Sequence, residues 1–382
     1  MAPAFEAGQS ESPPLLMTYP MKTYRIALWP GDGIGVEVTE AAVAVLQAVT
    51  ARMGKFNVAY TRYEWGAAYH ATHGHVAPPD FLTQLRPFDA IFLGAVGWPQ
   101  ALPDSITLKP LIQIRQAFDL WACVRPARTY PGVAGPLAAA PDIDLVVVRE
   151  NSEGEYVDNG GRFRPGQSDE FAVQSALHTR RGIERALRFG FELARKRRRM
   201  LTLATKSNAQ RYAFTLWDEI LDELAAENRD IVVDKQHIDA IAMNFVRRPA
   251  SFDVVVASNL FGDILTDLSG AITGGLGLNP SANLNPDRTA PSLFEPVHGS
   301  APDIAGQGIA NPVGAILAAA MMLEWLGETH AARVIERAVE VALSAGDRTG
   351  DLGGTLGTAA FTERVIACLP SEGAVERRSA GA

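Results

Sequence analysis

Asp263 and Asp267 stand four residues apart in Asn259-Leu-Phe-Gly-Asp263-Ile-Leu-Thr-Asp267, just beyond the apolar run Val254 to Ala257. On a helix this spacing stacks two carboxylates on one face, with Ile264, Leu265 and Leu268 expected on the other. Like charges so stacked repel unless a cation sits between them, and hard carboxylate oxygens select Mg2+ or Mn2+. A solvated helix face with acids near its N-terminus gives the same pattern. A third acid, Asp239 in His237-Ile-Asp239-Ala-Ile-Ala-Met243, could complete a metal site from another helix.

Three arginines form the second constellation. Arg115 lies in Ile-Gln-Ile-Arg115-Gln-Ala-Phe-Asp119, Arg125 in Val124-Arg-Pro126, and Arg149 closes the apolar run Leu145 to Val148. Guanidinium groups in apolar surroundings need anionic partners. Converging on one pocket, the three forks would hold a dicarboxylate bidentately. Taken singly, each could instead pair with a neighbouring acid such as Asp119 or Glu150. Tyr156, shortly beyond Arg149, could donate a proton, with nearby positive charge expected to lower its pKa. Lys206, between a strand-like and a helical segment, could carry a proton if desolvated or close to a metal. Either residue could equally serve in packing or at the surface.

Two glycine-containing loops remain. Pro30-Gly31-Asp32-Gly33-Ile34-Gly35 looks like a phosphate loop, yet it fits neither the G-x-G-x-x-G spacing nor a P-loop. The stretch Glu295-Pro-Val-His298-Gly299-Ser300-Ala-Pro-Asp303-Ile304-Ala-Gly306 leads through Asn311-Pro312 into a helix. Its imidazole, backbone amides and acid could surround a nucleotide.

The elements that must position these residues are those of an α/β protein. Apolar, β-branched runs recur at Tyr24 to Leu28, Ala90 to Leu93, Leu145 to Val148, Leu201 to Ala204 and Val254 to Ala257. Most are followed by helical periodicity, clearest in Val36 to Ala48, Arg211 to Ala226 and Asn311 to Leu326. Near-continuous apolar strands are central strands covered by helices on both faces. Ser105 to Gly166 differs, because it carries the three arginines and is broken by Pro126, Pro131, Pro136 and Pro141. With no repeat and no low-complexity linker, two domains would share a sheet or a tight interface.

Composition narrows the function classes. The 382 residues hold 47% hydrophobic and 20% charged side chains, an ordinary globular balance with enough chain for a large core. A net charge of -8 argues against nucleic acid as partner. The one basic cluster, Arg195-Lys196-Arg197-Arg198-Arg199, closes a helical pattern, where cations suit the helix dipole. Cys123 and Cys368 are the two cysteines, too few for a disulfide framework or a zinc site, which suits a reducing cytoplasm. No apolar run is long enough to span a bilayer. Residues 1–20 lack a basic n-region and an apolar h-region, so they are expected to form a disordered leader, or to reflect the choice of start site, ahead of the second methionine, Met21.

Taken in this order and spacing, the arginine set, Asn-Leu-Phe-Gly-Asp-x-x-x-Asp and Glu-Pro-Val-His-Gly-Ser-Ala-Pro-Asp resemble the β-hydroxyacid oxidative decarboxylases. This is the isocitrate/isopropylmalate dehydrogenase family, and the likeness runs from about Tyr24 to Leu369. Arg149-Glu-Asn-Ser-Glu-Gly-Glu-Tyr156, His237-Ile-Asp239, Leu93-Gly-Ala-Val-Gly-Trp98-Pro and Pro280-Ser-Ala-Asn-Leu-Asn285-Pro resemble its tartrate/D-malate branch. Ser105-Ile-Thr-Leu108-Lys109-Pro110-Leu111 departs from the Ser-Leu-Trp-Gly-Ser pattern of that branch.

The resemblance implies two α/β domains sharing a large central sheet and a nucleotide site that is not a Rossmann fold. The expected nucleotide domain spans 21–120 with 277–370, and the metal-binding and dimerisation domain spans 121–276. Residues 371–382 are expected to be a flexible tail. By the same resemblance, Arg115, Arg125 and Arg149 clamp the substrate carboxylates, with Leu108 and Leu111 beside its third substituent. Tyr156 protonates the enol, and Lys206, from the neighbouring subunit, takes the hydroxyl proton. Asp239 (also from the neighbour), Asp263 and Asp267 hold Mg2+ or Mn2+. His298, Gly299, Ser300, Asp303, Ile304 and Asn311 bind the adenosine end, and an acid at Asp303 implies NAD, with K+ a further candidate cofactor. The implied enzyme is a homodimer that oxidatively decarboxylates a 2-hydroxy dicarboxylate of the D-malate or tartrate kind. Leu108 and Leu111 could instead line the alkyl pocket of a 3-isopropylmalate dehydrogenase. A catalytically silent regulatory subunit would be expected to have lost the acids or Lys206, which are all present.

Overall fold

The structure is a computed structural model that describes residues 21–371. The expected leader 1–20, and all but the first residue of the expected tail, lie outside them. Along the chain the strands are β1 (Lys22–Gly31), β2 (Phe56–Arg62), β3 (Ala90–Ala95), β4 (Ala122–Arg128), β5 (Asp144–Glu150) and β6 (Gly160–Phe163). They continue with β7 (Phe171–Gln174), β8 (Met200–Thr205), β9 (Val232–His237), β10 (Val254–Ala257), β11 (Pro280–Leu284) and β12 (Ser292–Pro296). Ten of them make one sheet in the order β2-β1-β3-β12-β11-β4-β5-β10-β8-β9, which is the large central sheet of the expected α/β fold.

Pairing is parallel from β2 to β12 and again from β5 to β9. It is antiparallel at the centre, where β11 meets β12 and β4, and β4 meets β5. The parallel strands β3 and β10 are buried along their whole length, as strands covered on both faces must be. One core packs helices Gly35–Met53, Val313–Leu326 and Thr329–Ser344 onto the first half of the sheet. A second packs helices Arg180–Arg195, Arg211–Glu227 and Ile238–Arg247 onto the other half. The basic cluster caps the first of these helices as expected, its arginines paired with Asp230, Asp144 and Asp253.

The central strands break the apolar pattern on one face. Register places Arg149 of β5 opposite Cys123 of β4, Asn283 of β11 opposite Cys123, and Ser281 opposite Glu295 of β12. Directly paired residues share a face, so Arg125, Arg149, Ser281, Asn283 and Glu295 form one polar surface across four strands. The reverse face presents Val124, Ala282 and Phe294 to the first core. Helix Asn259–Thr273 lies against the polar face, and Gly262 permits its approach, since a Cβ there would stand 2.6 Å from Arg149 Cβ. A separate hairpin of β6 and β7 leaves Phe163, Phe171 and Val173 exposed.

The Pro30–Gly35 loop is structural. Gly33, at φ +58, presses against the carbonyl of Ser300, which also accepts a hydrogen bond from Ile34 N at 2.8 Å. Asp32 is buried and accepts from the backbone N–H of Ala67 (2.7 Å) and Gly97 (3.0 Å). The loop is thus a staple between segments.

Candidate active site

A cavity of about 210 Å³ opens where the sheet changes direction. Arg115 reaches it from helix Lys109–Ala117, Arg125 from β4, Arg149 from β5, and Asp263 from helix Asn259–Thr273, with Tyr156, His298 and Gly299 around them. All three sequence-predicted arginines therefore converge. Their partners are not Asp119 or Glu150, which face Arg185 instead. Arg149 donates from Nε and Nη2 to Asn259 Oδ1 (2.9 and 2.6 Å) and from Nη1 to Asp263. Arg125 donates to Ser281 Oγ (3.2 Å), Thr266 Oγ1 (2.8 Å) and Asp263 Oδ1 (3.3 Å). Arg115 pairs with Glu295 at 3.1 Å, and Glu295 also accepts from Asn283 Nδ2 at 2.8 Å.

Three guanidinium charges against the carboxylates of Asp263 and Glu295 leave the cluster short of negative charge. Arg115 Nε is buried without a hydrogen-bond partner, a donor that a ligand carboxylate would satisfy. Burial alone would raise the Asp263 carboxyl, but Arg149, Arg125 and the Tyr156 hydroxyl hold it below the usual carboxylate range. Burial and the charge of Asp263 push Asp267 above that range. Asp263 thus has Arg149 and Arg125 as counter-charges, whereas Asp267 has no cation within ion-pair distance among the described residues, and the hard oxygens of the two fit a divalent cation.

Tyr156 corrects an expectation. Its hydroxyl donates to Asp263 Oδ2 at 2.7 Å, and burial, this hydrogen bond and the carboxylate charge push its pKa up, outweighing Arg149 and Arg115. The phenol is thus held protonated. Ile264 is a second correction: it is exposed, while Leu265 is buried. Ser105–Leu111 is helical at Asp104–Thr107 and from Lys109 onward. Leu108, Leu111 and Ile112 line the cavity, whereas Lys109 and Pro110 do not.

Lys206 and Asp239 lie together, away from this cavity, with Lys206 Nζ 2.6 Å from Asp239 Oδ1. The Lys206 hydrogen bond holds the Asp239 carboxyl below its ordinary range. Within one chain Asp239 does not join Asp263 and Asp267, and no three His, Cys, Asp or Glu side chains group as a metal site among the described residues.

In the candidate nucleotide segment, His298 and Gly299 reach the cavity. Burial lowers the pKa of His298, keeping it neutral, and its Nε2 is buried without a partner. Ser300 is buried against the Pro30–Gly35 loop, Asp303 is exposed, and Ile304 packs on the first core. Asn311 is engaged within the fold, donating to Asp351 (2.9 Å) and accepting from Val313 N (3.0 Å).

Glu295, which the sequence puts in the candidate nucleotide stretch, is instead the partner of Arg115. Asn283, Ser281, Thr266, Asn259 and Arg185 are further residues of the site and its surround that no local sequence motif singles out for that role. A signal existed: polar residues at alternate positions in Pro280-Ser-Ala-Asn-Leu match one face of a strand.

The isocitrate/isopropylmalate dehydrogenase family model matches residues 25–365. The chain is 47% identical over 350 residues to a probable tartrate dehydrogenase/decarboxylase of Bacillus subtilis (strain 168), covering 91% of this chain and 99% of that one. It is 50% identical over 348 residues to the D-malate dehydrogenase (decarboxylating) of Escherichia coli (strain K12), covering 88% and 96% respectively. The crystal structure of isocitrate dehydrogenase from Methylococcus capsulatus superposes with a TM-score of 0.83 at 39% identity, over 91% of this chain and 99% of that one.

Proposed function

The chain belongs to the isocitrate/isopropylmalate dehydrogenase family, and we propose that it is the member that oxidatively decarboxylates D-malate to pyruvate, with tartrate as a second substrate. It is a decarboxylating dehydrogenase that uses a nicotinamide cofactor and a divalent metal. The convergence of Arg115, Arg125 and Arg149 on one cavity supports this reading most directly, because it suits a small substrate with two carboxylates.

Asp263 and Asp267 would hold Mg2+ or Mn2+ with Asp239 of a second copy, and His298, Gly299, Ser300, Asp303, Ile304 and Asn311 would take NAD. When bound, the metal supplies Lewis-acid polarisation and the nicotinamide accepts the hydride. The arginines orient the carboxylates, the kind of positioning worth several kcal/mol. Lys206 takes the hydroxyl proton. Tyr156, held protonated, returns a proton to the carbon that loses CO2. K+ remains a further candidate cofactor.

A homodimer would bring Lys206 and Asp239 of one copy to the clamp of the other. Exposed Ile264, Met243 and Val246 on neighbouring helices, and Phe163, Phe171 and Val173 on the hairpin, are apolar surface that a second copy would cover. The boundaries 21–120 with 277–370 and 121–276 are proposed for the two domains of each copy. Two free cysteines accord with a reducing cytoplasm, and no helix among the described residues is long and apolar enough to cross a membrane.

The apolar wall of Leu108, Leu111 and Ile112 favours a second reading, 3-isopropylmalate dehydrogenase. NADH formation by the purified chain with Mn2+ and D-malate, tartrate or 3-isopropylmalate separates the two. Higher catalytic efficiency on 3-isopropylmalate than on D-malate would overturn the proposed substrate.

A further inference from the structure

Behind the clamp, on the reverse face of the sheet, lies a second cavity of about 230 Å³. Pro126 and Arg128 of β4, Asp144 of β5 and Pro280 of β11 form its floor. Leu317 and Met321 of helix Val313–Leu326, and Glu336 of helix Thr329–Ser344, form its roof. Strand alternation sets the relation between the two cavities: Arg125 points to one face of β4, Pro126 and Arg128 to the other.

The charges around this cavity are unevenly satisfied. Arg197 pairs with Asp144 and with Asp253, each at 2.8 Å. Arg128 has no carboxylate within ion-pair distance among the described residues, and its guanidinium lies over the Tyr130 ring, 4.6 Å from the centroid. Glu336 likewise has no cation within that distance among the described residues, and burial pushes its carboxyl above the ordinary range. A half-buried cation and a half-buried anion, close enough to influence one another yet unpaired, thus flank a space walled by Pro126, Leu278, Leu317 and Met321.

The geometry points to a binding site for a small zwitterion, an aliphatic α-amino acid, distinct from the catalytic cavity. Its carboxylate meets the fork of Arg128, its ammonium meets Glu336, and its side chain lies on the apolar wall. A plain carboxylate would leave Glu336 unpaired, and a plain amine would leave Arg128 unpaired, each at the cost of a desolvated charge. The cavity volume accommodates a residue of leucine size. This site is independent of the reading given to the catalytic cavity, because none of its lining residues belongs to that cavity.

Isothermal titration of the full chain with L-leucine, 4-methylpentanoate and 3-methylbutylamine tests it. The expected result is saturable binding of L-leucine, with each one-charge analogue at least tenfold weaker. Arg128→Met and Glu336→Gln, each checked for native circular dichroism, should also weaken L-leucine at least tenfold. Should Arg128→Met fail to fold, Glu336→Gln decides alone, because it is isosteric. No saturable binding of L-leucine up to its solubility, equal binding of 4-methylpentanoate, or unchanged affinity in a folded variant would overturn the site.

Discussion

Gly262→Ala is the sharpest test of how the fold sets the site. The added Cβ would stand 2.6 Å from Arg149 Cβ and 2.7 Å from its Cγ, against ordinary contact from 3.4 Å. Arg149 is 2% exposed and held by Asn259 and Asp263, so it has little room to yield. Helix Asn259–Thr273 must then lift from β5 by about 0.8 Å. Asp263 is the next residue and moves with it, away from Arg149, Arg125 and Tyr156. Overpacking costs about 1–3 kcal/mol, offset by about 1 kcal/mol of helix propensity gained on replacing Gly, so the protein stays folded with Tm lower by a few degrees. Misplacing a catalytic group by an ångström costs about 100-fold, so kcat on D-malate with NAD and Mn2+ should fall by one to two orders of magnitude. Steady-state kinetics beside a thermal melt reads both quantities. Activity within twofold of the parent in a well-folded variant would show that the Asp263 position is not set by this contact.

Mixing inactive Lys206→Ala with inactive Tyr156→Phe chains should restore activity through hybrid sites; no rescue despite demonstrated subunit exchange would refute sites shared between copies. NAD should be preferred over NADP by roughly 1–3 kcal/mol in kcat/KM, because Asp303 would face a 2′-phosphate unpaired, and comparable efficiencies would remove that role. His178 accepts from Trp217 Nε1 at 3.1 Å, and burial lowers its pKa against the pull of Glu155 and Glu153. A histidine whose folded pKa is depressed binds its proton more readily when unfolded, so its penalty appears as pH falls below about 6.5 and is complete below the folded value. Melts between neutral pH and pH ~5 should therefore show a smaller loss of Tm in His178→Gln than in the parent, and parallel curves would contradict this.

The element order, the apolar strands and the three arginines that converge on one cavity were legible because each rests on local pattern: periodicity, a strand end, a fork in apolar sequence. What pairs with the arginines was not. Glu295 and Asn283 lie far along the chain from Arg115 and Arg125, and only the register of β4, β11 and β12 brings them onto one face. Nearest acids in sequence, Asp119 and Glu150, were the natural guess, yet Arg185 from helix Arg180–Arg195 takes both. The Tyr156 shift was misread for a related reason. The cation seven residues earlier, Arg149, suggested a lowered value, whereas the hydrogen-bond partner is Asp263, more than a hundred residues away.

This failure has a physical origin in the sheet itself. Hydrophobic alternation identifies strands by what they bury, and a site at mid-sheet interrupts it. In β4, β5, β11 and β12 the face that holds Arg125, Arg149, Asn283 and Glu295 is buried without being apolar, so its cost must be met by hydrogen bonds among residues from all four strands. Such a set is stable only when complete. Each member is therefore specified by its cross-strand partners, and single-strand pattern carries no record of them. Removing one polar group from this face, as in Asn283→Ala, leaves both Glu295 and Asn151 short of a partner, whereas Ala282→Val, one residue along on the other face, alters only packing.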